Sequence, residues 1–304
     1  MSSVLVVGSV AIDNIETPFG KAENVLGGSA VYIAIASSYF VSPVRLVGVV
    51  GGDYPKEAID FMNERGIDLE GLEVIENGKT FRWTGKYHYD LNNRDTLSLN
   101  LNVFENFDPK IPDAYKKTKY ICLGNIDPVL QRRVLEQVEK PKLVVGDTMN
   151  FWIDTKRDEL LKTLPMFDAF ILNDSEARLL VNEPNLFRAA RKIHDLGAKA
   201  LVIKKGEHGA LLFHQDKIFS APAYPLENIY DPTGAGDTFA AGFTAWLAKT
   251  EDLSHENFKR AVIYGSTMAS FCVEKISVEG LRDLSYLKIQ DRVREFKALS
   301  RFED

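Results

Sequence analysis

Short β-branched runs alternate with longer segments of helical period along most of this chain, and no other feature restricts its fold as much. VLVVGSVAI (4–12) precedes SAVYIAIASSYF, and VRLVGVV (44–50) precedes PKEAIDFMNERG. YICLG (120–124), KLVVGD (142–147), AFILND (169–174) and ALVIKK (200–205) continue the series, with helical segments around 128–139, 157–164 and 185–196. Strands that are apolar on both faces and separated by amphipathic helices predict an α/β fold. Its sheet is doubly wound, mostly parallel and covered on both sides, with right-handed crossovers. The whole chain, 1–304, is read as a single domain. At this length roughly three quarters of the unfolded surface is buried, so no disulfide or metal staple is needed.

One region interrupts the alternation. From about 72 to 104 the pattern is strand-like with no helix between: FRWTGKYHYD, a polar turn LNNRD, then TLSLNLNVF. The period-2 alternation of SLNLNVF marks an antiparallel strand with one wet face. A β-hairpin inserted into the α/β domain as a small lid is the expectation. Phe81, Trp83, Tyr87 and Tyr89 concentrate aromatic surface there, either for packing the insert on its neighbour or for touching a ligand. The stretch 285–304 reads as an amphipathic surface helix with a polar tail.

Charge and cysteine usage narrow the function classes. A formal net charge of −6, with no dense Lys/Arg block, lacks the footprint of a duplex-DNA binder, so no nucleic-acid polymer is expected as a partner. Two cysteines, Cys122 and Cys272, with no CxxC pair exclude a disulfide framework and a Cys-rich zinc site. The opening MSSVLVVGS has no basic n-region, and no run approaches the roughly 18 apolar residues of a membrane span. No membrane partner and a cytoplasmic location are expected.

The segment 231–242, DPTGAGDTFAAG, carries the chemistry. A turn signal leads through Gly234 and Gly236 into a helix-forming run, so these glycines sit where a loop becomes a helix N-terminus. Free backbone N–H groups and the positive end of the helix dipole make an anion site there, which glycine lets a phosphate approach closely. Asp237 falls in the first turn beside that site. A carboxylate repels phosphate but suits a base that takes a proton from a hydroxyl attacking the terminal phosphoryl group. Favourable placement of an acid in a first turn is the plainer alternative.

This string resembles the C-terminal signature of the ribokinase-like (PfkB-type) carbohydrate kinase family, and co-linear landmarks extend the resemblance over nearly the whole chain. Gly8 to Asp13 is similar to the family's opening G-x-x-x-x-D. Gly27-Gly28-Ser29-Ala30 opens a helix, and Gly48-Val49-Val50-Gly51-Gly52-Asp53 follows. Asn173-Asp174-Ser175-Glu176 matches N-x-x-E, and Lys205-Gly206-Glu207-His208-Gly209 matches the nucleotide-side glycine loop. The resemblance implies Asp237 as catalytic base, with Gly234, Ala235 and Gly236 as the anion hole. It implies Asp13, Gly27, Gly28 and Tyr32 at the acceptor. Asn173, Glu176, Lys205, Gly206, Gly209 and Thr233 would then lie at the nucleotide, and Asn173 and Glu176 would organise Mg²⁺ through its waters. ATP and Mg²⁺, with a monovalent cation such as K⁺ in addition, are the implied cofactors, and a homodimer paired through the lid is the implied assembly. From the residues alone, Asn173 and Glu176 serve equally as a helix cap. Lys205 serves equally as an exposed charge. Asp147 and Asn150 either line the phosphate path or cap the next helix.

Two positions depart from the family pattern. Tyr32 stands where many members carry a substrate-contacting asparagine, and Lys56 replaces the glycine that usually closes 53–56. The acceptor expected is a hydroxyl of a small sugar or polyol. A nucleoside of adenosine or cytidine type is the alternative, with Tyr32 and the lid aromatics stacking on its base. A non-catalytic sugar or nucleotide sensor on the same fold is a further reading. The first strand lacks GxGxxG, and Gly78-Lys79-Thr80 lacks the Walker glycine, since position 73 is Glu.

Overall fold

The computed structural model describes residues 2–299 and 301. In chain order its strands are β1 (Val4–Val7), β2 (Ala11–Thr17), β3 (Gly20–Gly27), β4 (Val44–Gly51), β5 (Ile67–Ile75), β6 (Phe81–Tyr87) and β7 (Arg94–Asn100). They continue with β8 (Tyr120–Leu123), β9 (Leu143–Asp147), β10 (Ala169–Asn173), β11 (Ala200–Lys204), β12 (Ala210–His214) and β13 (Lys217–Ala221). The main sheet runs β13-β12-β11-β10-β9-β8-β1-β4-β5. Its pairs from β11 to β5 are all parallel, and only β12 and β13 run antiparallel, at one edge.

Both faces of the main sheet are covered, and β1 shows why its sequence has no polar alternation. Val4 and Val6 enter one hydrophobic cluster, while Leu5 and Val7 enter the other. On the first side the helix Ser29–Ser37 is buried along its whole length and packs on the helix Ala235–Thr250, itself backed by His255–Cys272. Among the described residues no helix is long and apolar enough to cross a membrane. The C-terminal helix is Tyr286–Leu299, and the last residues of the expected tail lie outside the described residues.

The second sheet differs from the sequence expectation in its composition. It has four strands in the order β3-β2-β6-β7. The segment 4–12 is not one strand: the chain leaves the main sheet at Gly8-Ser9-Val10, and β2 joins the small sheet. Ser9 and Ser29 fix that exit by exchange, since the Ser9 N–H donates to Ser29 Oγ (3.1 Å) and the Ser29 N–H donates to Ser9 Oγ (3.0 Å). Nor does the insert span 72–104. Residues up to Ile75 belong to β5 beside β4, and the antiparallel pair is β6–β7, 81–100. That pair is not alone, because β2 runs parallel to β6 and antiparallel to β3. The sheet is thus sewn from two segments distant in sequence. Its register slips between Asp13 and Ile15, an irregularity of the kind that re-aims a side chain beside a site.

Candidate active site

The loop 231–237 meets the carboxyl ends of the main strands, where open α/β sheets collect their ligands. Asp231 is fully buried and pins the loop. Its Oδ1 accepts from the Thr233 N–H (2.9 Å) and its Oδ2 from the Ser277 N–H (2.8 Å). Gly234 then turns left-handed at φ 75° and precedes the sixteen-residue helix with no side-chain cap on its first turn. A side chain at Gly234 is impossible on two counts: the φ disfavours it, and a Cβ would stand 2.3 Å from the Tyr32 ring. Of the three predicted anion-hole amides, that of Ala235 donates to the Pro232 carbonyl (3.2 Å). Those of Gly234 and Gly236 have no such partner among the described residues.

Asp237, in this first turn, faces Asp147 at the end of β9 and Lys204 at the end of β11. Burial and then the Asp147 charge push the Asp237 carboxyl up to about 7, against the pull of Lys204 and Arg94. Lys204 Nζ lies 3.8 Å from Asp147 Oδ2 and 2.8 Å from where a Gly236 Cβ would be. Burial opposes the Lys204 charge, but Asp147, Glu176 and Asp237 outweigh it and raise its pKa. Glu176 completes the group, raised to about 7 by burial and by Asp147 against the pull of Lys204.

Asn173 and Glu176 form a reciprocal capping box. The Glu176 N–H donates to Asn173 Oδ1 (2.8 Å), and the Asn173 N–H donates to Glu176 Oε2 (2.8 Å). The Ser175 hydroxyl also donates to Asn173 Oδ1 (2.8 Å), so that oxygen is committed to the cap. Glu176 Oε1 accepts no hydrogen bond among the described residues.

The acceptor-side residues converge on Asp13. It is 4 % exposed, its carboxylate makes no hydrogen bond among the described residues, and burial, Asp231 and Asp237 raise its pKa to about 8. A Cβ on Gly27 would fall 2.0 Å from its carboxylate, and one on Gly28, at φ 90°, would fall 2.4 Å from the Ser9 carbonyl. Asp13 pairs with Trp83 across β2 and β6, and Trp83 shares its face with Gly85 and Tyr87, two and four residues on. Tyr87 Oη accepts from the Thr233 hydroxyl (3.0 Å), so this face of the small sheet looks onto the 231–237 loop. Phe81 instead stacks on Phe104, and Tyr89 stands exposed in the hairpin turn.

One predicted placement needs correction. Tyr32 is 1 % exposed and lies beneath Gly234, so its ring supports the loop and has no face for a base. Lys204, which the sequence did not single out, is the lysine among the carboxylates, and the backbone N–H of its neighbour Lys205 donates to the Gly209 carbonyl (2.8 Å). Gly209, at φ 82°, is explained by its turn, because a Cβ would stand 2.0 Å from the Ala221 carbonyl. Gly206 is exposed and faces the hairpin turn, 2.9 Å from Asn92 Oδ1 on the same measure. Asn150 is exposed and does not cap its helix. Strand register held a signal for Lys204, which sits directly opposite Asn173.

A family model described as pfkB family carbohydrate kinase matches residues 1–282. The chain belongs to that family. It is a kinase, which sets aside the non-catalytic sensor. It is 29 % identical to the cytidine kinase of Thermococcus kodakarensis over 258 residues, covering 83 % of this chain and 91 % of the relative. It is 25 % identical to a nucleoside kinase of Methanothermobacter thermautotrophicus over 289 residues, 89 % of each chain. The crystal structure of the Methanocaldococcus jannaschii nucleoside kinase, described as an archaeal member of the ribokinase family, superposes with a TM-score of 0.77 at 20 % identity. The match covers 97 % of this chain and 99 % of that one. The names of these relatives favour the nucleoside alternative over a sugar or polyol acceptor.

Proposed function

We propose that this kinase transfers the terminal phosphoryl group of ATP to a hydroxyl of a nucleoside, with the small sheet acting as a lid. The observation that carries the reading is Asp13. A buried carboxylate without a hydrogen-bond donor is costly unless a ligand supplies one, and the two oxygens of a carboxylate suit the adjacent hydroxyls of a ribose. Trp83, paired with Asp13 on one face, offers an aromatic surface where a base would lie. The names of the cytidine and nucleoside kinases among its relatives support the same choice.

Asp237 takes the proton from the attacking hydroxyl, and a pKa of about 7 suits a base that works near neutrality. The Gly234 and Gly236 amides and the helix N-terminus stabilise negative charge on the phosphoryl oxygens, and Lys204 neutralises part of the rest. Glu176, with one oxygen outside its cap, and Asp147 beside it fit Mg²⁺ held through its waters. Among the described residues no cluster of three or more ligands would cage the ion, and Mg²⁺ is ordinarily bound by one or two carboxylates and the phosphates themselves. Bound there, Mg²⁺ would neutralise charge on the phosphates.

ADP release measured across cytidine, other nucleosides, ribose, hexoses and polyols tests the reading. A nucleoside is expected to exceed every free sugar in kcat/KM by roughly tenfold or more, since the base contributes binding that a bare sugar cannot. Preference for a sugar or polyol over all nucleosides would overturn it.

A further inference from the structure

We propose that Tyr32 is a positioning residue for phosphoryl transfer: its ring fixes the left-handed Gly234 from below and holds the Gly234 amide where phosphoryl charge develops. The inference rests on the phosphoryl-transfer reading above. It assigns a task in the reaction to a buried side chain outside the cleft.

Gly234 cannot place itself. A glycine has more backbone freedom than any other residue, and it has no side chain to anchor. On the helix side of the turn its carbonyl accepts from the Thr238 N–H (2.8 Å). On the loop side Asp231 holds the Thr233 N–H. The Thr233 carbonyl accepts from the Cys272 thiol (3.5 Å), a weak donor. That carbonyl and the Gly234 N–H share one peptide plane, so the plane that aims the amide is lightly held by hydrogen bonds. The remaining support is the contact between the Gly234 Cα and Tyr32.

This contact is broad and stiff. A Cβ on Gly234 would stand 2.3 Å from Tyr32 Cδ1, 2.3 Å from Cε1 and 2.4 Å from Cζ. Near-equal distances to three consecutive ring atoms put the glycine over the face of the ring and not at its rim. Tyr32 is itself fixed, on the helix Ser29–Ser37, which is buried at every position. That helix is tied to the exit of β1 through the Ala30 N–H, which donates to the Ser9 carbonyl (2.9 Å), and through the Ser9–Ser29 exchange. The Tyr32 hydroxyl has no hydrogen-bond partner among the described residues, and the nearby Ser277 hydroxyl donates to the Leu26 carbonyl. The ring, not the hydroxyl, carries the contact.

An anion hole works by pointing its donors before the charge arrives. A donor that must be drawn into place stabilises the transition state less, while binding of ADP in the ground state changes little. Without the ring, space opens beneath Gly234 and the 233–234 peptide can tilt into it. Part of the roughly 10²–10³-fold that one such donor supplies is then lost.

The test compares Tyr32→Leu and Tyr32→Phe with the wild type in kcat and acceptor KM. Calorimetry adds their affinities for ADP and for ADP–aluminium fluoride, a mimic of the transferring group. Tyr32→Leu is expected to lower kcat by about 10–10²-fold and to weaken ADP–aluminium fluoride in parallel, with ADP affinity and acceptor KM within about threefold. Phenylalanine keeps the ring and should restore most of both losses. Calorimetry reads affinity per folded molecule, so lower stability alone leaves the ratio of the two affinities unmoved. If Tyr32→Leu does not fold, Tyr32→Met, whose flexible chain fills irregular space, makes the same comparison. A kcat within about threefold of wild type, or equal weakening of ADP and the mimic, would overturn the proposal. So would a raised acceptor KM in Tyr32→Phe, which would make the hydroxyl an acceptor contact. A wild type that binds the mimic no more tightly than ADP would overturn it too, since no aimed donor would be in place. If the wild type phosphorylates no nucleoside, the acceptor assignment falls; the comparison of ADP with its mimic needs no acceptor and still decides the role of Tyr32.

Discussion

The floor of the cleft and the sheet above it obtain their functional groups by different means. The floor uses the ends of β9, β10 and β11, strands of a sheet covered on both sides, and one helix start. The small sheet joins two distant segments, has one wet face, and ends in β7, which is exposed along its length. Pre-organised charges belong on the rigid element, where they cost no rearrangement during reaction. On the proposed reading, recognition of the acceptor falls to the small sheet.

Substitutions can separate the two. The largest effect is expected on the floor: Asp237→Asn should lower kcat by roughly 10²–10⁴-fold with nucleotide affinity little changed, read by steady-state kinetics and calorimetry. In the wild type, kcat/KM should fall as pH drops below about 7, because the base must be ionised, and the variant should lose that limb of the profile. On the upper side, Gly27→Ala would drive a methyl into Asp13 and should raise the acceptor KM by up to about 10²-fold, with the ATP KM unchanged. Equal changes in both constants would erase the distinction between floor and sheet. Glu176→Gln keeps an oxygen for the cap but removes the charge, so the Mg²⁺ midpoint should rise by about tenfold. An unchanged Mg²⁺ titration would leave Glu176 as a cap alone.

The smallest effect concerns stability. Asp13 has its pKa raised in the folded state from 3.8 to about 8, so the folded protein binds this proton more tightly than the unfolded chain. Stability from this group is therefore lost as pH rises between about 4 and 8. Asp13→Asn should melt higher than wild type by a few degrees near pH 8, with the gap closing towards pH 4, by scanning calorimetry. A gap independent of pH would mean that Asp13 is not strained by burial.

How far the sequence discloses each part follows the same division. Gly234 stands where the backbone demands the absence of a side chain, so the conformational requirement is spelled in the residue itself. The alternation of apolar runs with amphipathic segments likewise announces the parallel sheet. Strand pairing between β2 and β6 has no local signature, because parallel partners far apart in sequence need no shared turn. The break at Gly8 therefore went unmarked within an apolar run. Lys204 and Lys205 are adjacent, and only the registration of β11 against β10 decides which faces the carboxylates. Tyr32 had a local sign: SAVYIAIAS is apolar all round, which marks a helix buried on every side and leaves no face for a ligand.

Ser29 stands where the exit of β1, the end of β8 and the first turn of the helix Ser29–Ser37 come together. Its hydroxyl would lie 2.5 Å from a Cβ on Gly8 and 2.6 Å from one on Gly124. A junction filled to this degree has little tolerance for enlargement, so a side chain added at Gly8 or Gly124 would pry the first helix from its bed.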